Sequence, residues 1–400
     1  MNLTKLSLVT ALTTGSLAAQ GVFDVSPNDG LSEDIPLEFT GTVNLGYDDN
    51  ITPSNPANRG DSATYTSMNV GANYLNFGPQ TNIDFNLKLG ILHYLDNVEN
   101  SDVRDTYSDT KGILNVKHNV SERLYLQTRN YLFYGLEPDY TYGVVNDRSN
   151  SEYLLFSTDN SLGYKWNARM ATVTGFGYRN LDYDDAADSR SDRESLTLHH
   201  QFRYVVSQQT ISTLDYRYIT TNVAGGLDSA SHKLLAGAEH RLSDTAMLVG
   251  KVGVQFRKVD TRDSNTDPTF ELAYIQSVNE AFRVRLNAAY DVNDYGTSID
   301  NNAFANNKSF RFSTAGDYHL SRQLYFTGGV NFVTNNYDGS PTRDDDDAQV
   351  VNFHLGTTYS ILDNLAANLT YNYTKSYDDG DTLNREYGRN RIQAGVTYTF

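Results

Sequence analysis

Arg283 and Arg285 stand two residues apart in a stretch that alternates apolar and polar residues, so both side chains leave the chain on the same side. The spacing recurs along the sequence. Lys88, Lys117, Arg203, Arg217, Lys251, Arg257, Arg311 and Arg391 also occupy the polar side of an alternating segment, and Asp84, Asp159, Asp215, Glu239, Asp291 and Asp317 share it. Two kinds of chemistry follow from such a wall. Opposite charges on neighbouring strands pair and stiffen it. An excess of cations draws anions or acidic sugars along it. Both readings stand at this point.

Other chemistry has less behind it. His319 and His354 lie on polar positions with Ser and Thr nearby, but no Gly-x-Ser-x-Gly elbow accompanies them. No catalytic residue is therefore assigned, and the chain is not read as an enzyme. His199 and His200 are adjacent in an extended segment, so they point to opposite sides and cannot chelate together. Asp344–Asp347, and the set Asp182, Asp184, Asp185 and Asp188, are rich in oxygen ligands. Neither has the fixed Gly and distal Glu of a calcium loop, and both read as solvated loop tips. No metal and no cofactor is assigned. The chain has no Cys, which removes disulfides, thiolate zinc sites and cysteine nucleophiles together.

The elements that hold these charges are strands. From Pro36 onward the pattern has period two. Leu37, Phe39, Val43, Leu45 and Tyr47 oppose Glu38, Thr40, Thr42, Asn44 and Asp48. Near the end, Leu365, Ala367, Leu369, Tyr371 and Tyr373 oppose Ala366, Asn368, Thr370, Asn372 and Thr374. Ile392, Ala394, Val396, Tyr398 and Phe400 then oppose Arg391, Gln393, Gly395, Thr397 and Thr399. Short turns are expected at Gly78-Pro79, Ser121-Glu122, Trp166-Asn167, Ser207-Gln208, Ser243-Asp244, Asn279-Glu280, Ser321-Arg322 and Asp363-Asn364. Nine longer loops rich in Asp, Asn, Gly and Ser separate them. The count is about 18 strands in one domain, residues 36–400.

A propeller would also give a repeat of roughly 40 residues, but its blades hold four short strands and pack both faces. Here each repeat holds two long strands with one wholly polar wall. Tyr47, Tyr74, Tyr134, Tyr164, Phe282, Tyr290, Tyr318, Tyr359 and Tyr398 sit near strand ends, as in the aromatic girdles of a membrane barrel. The expected fold is an all-β, antiparallel, up-and-down transmembrane β-barrel with short periplasmic turns and long acidic extracellular loops. A charge on the lipid face at mid-depth costs about 2–4 kcal/mol, so the basic residues named above are expected to line the lumen. Barrels of 16–18 strands leave an aqueous channel.

Across the 400 residues, 32 Lys and Arg face 49 Asp and Glu, a net charge of −17. That excludes a nucleic-acid partner, which needs clustered positive charge. The acids concentrate in the long loops, whereas the strands and short turns are net basic. Residues 1–19 read as a secretory leader: Lys5 is the only charge, an apolar run follows, and Ser16-Leu17-Ala18-Ala19 offers the cleavage site. Residues 20–35 read as a flexible periplasmic lead-in.

The ending Val396-Thr397-Tyr398-Thr399-Phe400 resembles the carboxyl-terminal strand of Gram-negative outer-membrane proteins. Gly46-Tyr47-Asp48-Asp49-Asn50-Ile51, with the repeated hairpins, resembles the outer-membrane β-barrel porin family of the beta-barrel porin 2 type. The resemblance implies an integral outer-membrane location and contact with membrane lipid and lipopolysaccharide. It also implies recognition of Tyr398 and Phe400 by the barrel assembly machinery, and it admits a homo-oligomer. The function it implies is a porin-like channel for small hydrophilic or anionic solutes. An exporter of acidic exopolysaccharide, or a plugged barrel that binds a surface partner, would use the same wall.

Overall fold

The computed structural model describes residues 35–52, 61–96, 104–138, 151–184, 192–262, 264–294, 304, 306–339, 344–378 and 386–400. The expected leader and all of the lead-in except Ile35 lie outside the described residues, as do Asp185 and Asp188 of the acidic loop.

Eighteen strands follow one another. They begin with β1 (Ile35–Asp48), β2 (Ala63–Phe77), β3 (Thr81–Tyr94), β4 (Thr106–Asn119), β5 (Leu124–Gly135) and β6 (Tyr153–Lys165). Next come β7 (Met170–Tyr183), β8 (Arg193–Val205), β9 (Thr210–Val223), β10 (Ser229–Ser243), β11 (Ala246–Val259) and β12 (Asn265–Asn279). The last six are β13 (Phe282–Asn293), β14 (Asn306–His319), β15 (Leu324–Asp338), β16 (Asp346–Leu362), β17 (Leu365–Asp378) and β18 (Tyr387–Thr399). Each pairs antiparallel with its chain neighbour, and β1 pairs with β18 from Thr40↔Thr399 to Asp48↔Arg391, which closes the sheet. Closure leaves no strand edge unpaired, the condition for crossing lipid with a sheet.

All eight expected short turns lie between strands on one end of the barrel, the end that also holds the starts of β1 and the end of β18. The opposite end carries the other nine connections. Two of these are shorter than the Asp- and Asn-rich pattern suggests, 224–228 and 260–264. Each contains a described left-handed residue, Gly225 at φ 67° in the first and Thr261 at φ 64° in the second. A strand of about ten residues crosses the bilayer. β16 has 17 and most others 13 to 15, so the sheet extends beyond the membrane.

The alternation sorts the side chains as the pleat requires. Leu37, Phe39, Val43, Leu45 and Tyr47 of β1 face outward and exposed, whereas Asn44 and Asp48 are buried on the inside. The nine aromatics assigned to girdles all face outward. A second aromatic population, absent from that assignment, points inward. Tyr65, Tyr94 and Tyr107 stack edge to face with ring centres 6.1 Å apart, and Ile51, Leu92 and Leu136 close around them. The interior near the loop end therefore holds aromatic clusters set among buried polar groups such as Asp48 and Asn307.

Candidate functional site: the barrel lumen

Lys88, Arg203, Arg217, Lys251, Arg257, Arg283, Arg285, Arg311 and Arg391 occupy inner-face positions of β3, β8, β9, β11, β13, β14 and β18, and Lys117 does so on β4. The wall does not leave them free. Arg203 meets Glu239 at 2.7 Å, Arg285 meets Asp317 at 2.9 Å, and Arg311 meets Asp291 at 3.3 Å. Lys88 pairs with Asp109, and Asp215 takes both Lys251 and Arg217, the latter at 3.2 Å. Arg217 also forks onto Glu271 through Nη1 at 2.7 Å and Nη2 at 3.0 Å. Of these nine, Arg283 makes no ion pair among the described residues. The ten cations thus act mostly as one half of a charge ladder, the stiffening role, and the surplus positive field concentrates at Arg283 and Lys117 near the short-turn end.

Loop-end segments fold into the lumen and narrow it. β12 and β13 remain paired only up to Phe270↔Tyr290. Above that point β13 leans inward, and Gln255 of β11 bridges the gap. Its Nε2 donates to the Val292 carbonyl at 2.7 Å and its Oε1 accepts from the Val292 N–H at 3.2 Å. Asp294 just beyond β13 is buried against β8, β10 and β11: it accepts from Arg257 and from Ser229 Oγ at 3.0 Å, while its carbonyl accepts from Arg193 at 2.7 Å. A cavity of about 160 Å³ adjoins this segment, lined by Asp294 itself and by Asp159, His199, Arg217, Lys233 and Glu271 among others. His199 Nε2 sits 3.2 Å from Asp159, whereas His200 faces outward onto Thr174, so the adjacent pair divides between the two sides. Among the described residues no three His, Asp or Glu side chains group as metal ligands.

The second constriction comes from the end of β5. Glu137 reaches across to β18, where Arg389 donates to it through Nη1 at 2.6 Å and Nη2 at 2.9 Å, and Arg391 Nη1 lies 3.1 Å away. Arg389 simultaneously holds Asp48, which is 0% exposed. This gives the Gly46–Ile51 motif a structural task. Gly46 faces the Tyr65 ring, where a Cβ would come within 2.3 Å of Cζ. Tyr65 in turn lies under the Arg391 guanidinium at 4.8 Å. Asn390 donates to Asp49 through its backbone and side-chain nitrogens, each at 2.6 Å. Asn50 donates to the Gly388 carbonyl at 2.9 Å, and Ile51 enters the tyrosine cluster. The motif seals the β1–β18 seam at the loop end.

Sequence reading missed Arg389, Lys233, Glu137 and Asp294. Arg389 shares the face of Arg391 but sits at the edge of an apparent loop. Lys233 on β10 pairs with Asp291 at 2.8 Å, and alternation alone offers it as readily as its neighbours. Glu137 and Asp294 lie outside the alternating segments, and no local pattern marks them. At the other end of the seam, Phe400 is 77% exposed, beside Gly41 and the Tyr398 ring, and its N–H donates to the Phe39 carbonyl at 2.9 Å.

A closed antiparallel barrel with an apolar outer band, outward aromatics near the strand ends and a charged interior has the architecture of a transmembrane β-barrel. Residues 234–400 match the family described as Outer membrane protein beta-barrel domain. No curated protein matches the sequence. Among solved structures the chain is similar to Acinetobacter baumannii OccAB4, at 14% identity over 93% of this chain and 100% of that one, with a TM-score of 0.45. Pseudomonas aeruginosa OccK9 (OpdG) aligns at 12% identity over 91% and 98%, TM-score 0.46. Pseudomonas aeruginosa OpdK, solved with vanillate, aligns at 11% over 91% and 99%, TM-score 0.45.

Proposed function

We propose that this chain is a porin-like channel that admits small hydrophilic solutes across the outer membrane, exported there by cleavage of the leader at residues 1–19. The observation that carries the reading is the polar lumen narrowed at two places by segments tied to the wall through charge, Glu137 on Arg389 and Asp294 on Arg257. A filter needs fixed charges of both signs close to the path, in a wall too stiff to collapse onto the solute. Paired cations hold their side chains in place yet still offer unused N–H donors to a passing carboxylate or hydroxyl. The long-range field of each pair largely cancels, so the expected anion preference is weak and arises at Arg283 and Lys117. An exopolysaccharide exporter fits less well, because a polymer requires a continuous wide bore and these two constrictions oppose it. Planar-bilayer recording tests the proposal. Discrete steps with small, near-balanced ion selectivity are expected. A protein that inserts, shows heat-modifiable migration and conducts nothing would overturn it in favour of the plugged barrel.

A further inference from the structure

On the outer face of β5 and β6 a compact polar group interrupts the apolar band. Midway along these strands, Thr128 and Asn130 of β5 and Thr158 and Asn160 of β6 point away from the lumen. Thr128 pairs with Asn160 and Asn130 with Thr158, so the four form one contiguous square. Exposed Leu126 and Leu162 on the short-turn side and Phe176 on the adjoining strand frame it, which sets the square within the lipid-facing band. Thr174 of β7, hydrogen-bonded to His200 of β8 at 2.7 Å, continues the polar surface sideways. Among the described residues no other two neighbouring strands place two amide side chains at mid-strand on the outer face.

Polar groups in hydrocarbon must find partners. The square satisfies most of its own. Thr158 Oγ1 donates to Asn130 Oδ1 at 2.8 Å, and Asn160 Nδ2 donates to Thr158 Oγ1 at 2.9 Å. Asn130 Nδ2 donates to Thr128 Oγ1 at 3.0 Å and to the Leu114 carbonyl at 3.2 Å. What remains is one acceptor, Asn160 Oδ1, and two donors, the Thr128 hydroxyl and the second N–H of Asn160 Nδ2, which have no partner among the described residues.

We infer that this square is the contact through which a second copy of the chain docks, side by side in the membrane. The inference rests on the barrel spanning the membrane. Lipid tails carry neither donor nor acceptor, so they cannot complete the square. A second copy can, because every copy inserts in the same orientation and brings its own square to the same depth. A two-fold axis along the membrane normal, passing between β5 and β6, sets the Thr128 hydroxyl of one copy against Asn160 Oδ1 of the other, and the reverse. Thr128 and Asn160 are cross-strand neighbours, so both exchanges form at once. The square bears no net charge, so no repulsion opposes the pairing, and the flanking leucines close around it as they would around lipid.

Because the chain has no Cys, a single Thr128→Cys substitution gives an unambiguous cross-linking probe. The two-fold places the substituted positions diagonally across the interface, beyond the reach of a direct disulfide, so a short bis-maleimide applied to intact outer membranes at native expression should give a covalently linked dimer of this chain. Val330→Cys, outward on β15 across the barrel, should stay monomeric. Adding Asn130→Leu and Asn160→Leu to the Thr128→Cys chain should cut the dimer yield by about tenfold or more, since these changes replace the bonding square with lipid-compatible side chains. Heat-modifiable migration, measured on every variant, reports barrel insertion separately. Heat-modifiable protein that gives no dimer at Thr128→Cys, equal dimer at Val330→Cys, cross-links only to a different polypeptide, or undiminished dimer in the triple variant would each overturn the inference. Loss of heat-modifiability in the unsubstituted chain would instead overturn the barrel reading.

Discussion

Glu137→Ala tests whether the inward segment after β5 is a determinant of permeation. The carboxylate accepts from Arg389 at 2.6 and 2.9 Å and faces Arg391 at 3.1 Å, while remaining 31% exposed. A hydrogen bond to a charged group contributes about 1.5–3 kcal/mol. Three such contacts on one carboxylate do not add, and partial exposure screens them. A net docking contribution of about 2 kcal/mol follows, or roughly 30-fold in the ratio of docked to undocked segment. Two anchors survive the change: Leu136 stays in the tyrosine cluster, and Tyr153 Oη still donates to the residue-137 carbonyl at 2.8 Å. The segment should therefore loosen without leaving. Recorded in planar bilayers, the variant should show larger mean conductance and more open-channel noise. Its reversal potential in a salt gradient should shift toward anions, because Arg389 keeps only Asp48 and Arg391 loses its nearest carboxylate contact. Glu137→Gln should produce the same charge shift with a smaller change in conductance, since the amide still accepts from one arginine. Wild-type conductance and wild-type reversal potential in a heat-modifiable Glu137→Ala protein would refute the reasoning.

Arg283→Ser and Arg285→Ser should separate selectivity from stability. The first removes an unpaired cation and should reduce anion preference with little effect on the heat-modification temperature. The second strands Asp317, buried and hydrogen-bonded to Tyr325 Oη at 3.2 Å, and should lower that temperature, with a cost of about 3 kcal/mol. Gly46→Ala should push the Tyr65 ring from beneath Arg391 and weaken the seam by about 1–3 kcal/mol, seen as earlier unfolding in detergent. Deleting Phe400, or replacing it with Asp, should lower the yield of assembled barrel at native expression, measured as the heat-modifiable fraction. An unchanged yield would count against Tyr398 and Phe400 as an assembly signal.

Alternation alone determined a great deal about this chain. Side chains two apart on a strand share a face, so the inward placement of Arg283 and Arg285, the outward placement of the nine girdle aromatics and the split between His199 and His200 all follow from position in the sequence. The eight short turns are legible for a similar reason, since each interrupts a period-two run with Gly, Pro, Asn, Asp or Ser. Tertiary structure decided what those inward charges do. Glu137 and Arg389 are 252 residues apart, and their meeting depends on barrel closure and on a segment that turns into the bore. The same holds for Asp294 with Arg257, and for Tyr65, Tyr94 and Tyr107, whose inward parity is visible but whose packing against Leu136 is not. Strand periodicity is a property of a few consecutive residues, whereas the width and charge of a lumen are set by residues that closure brings face to face.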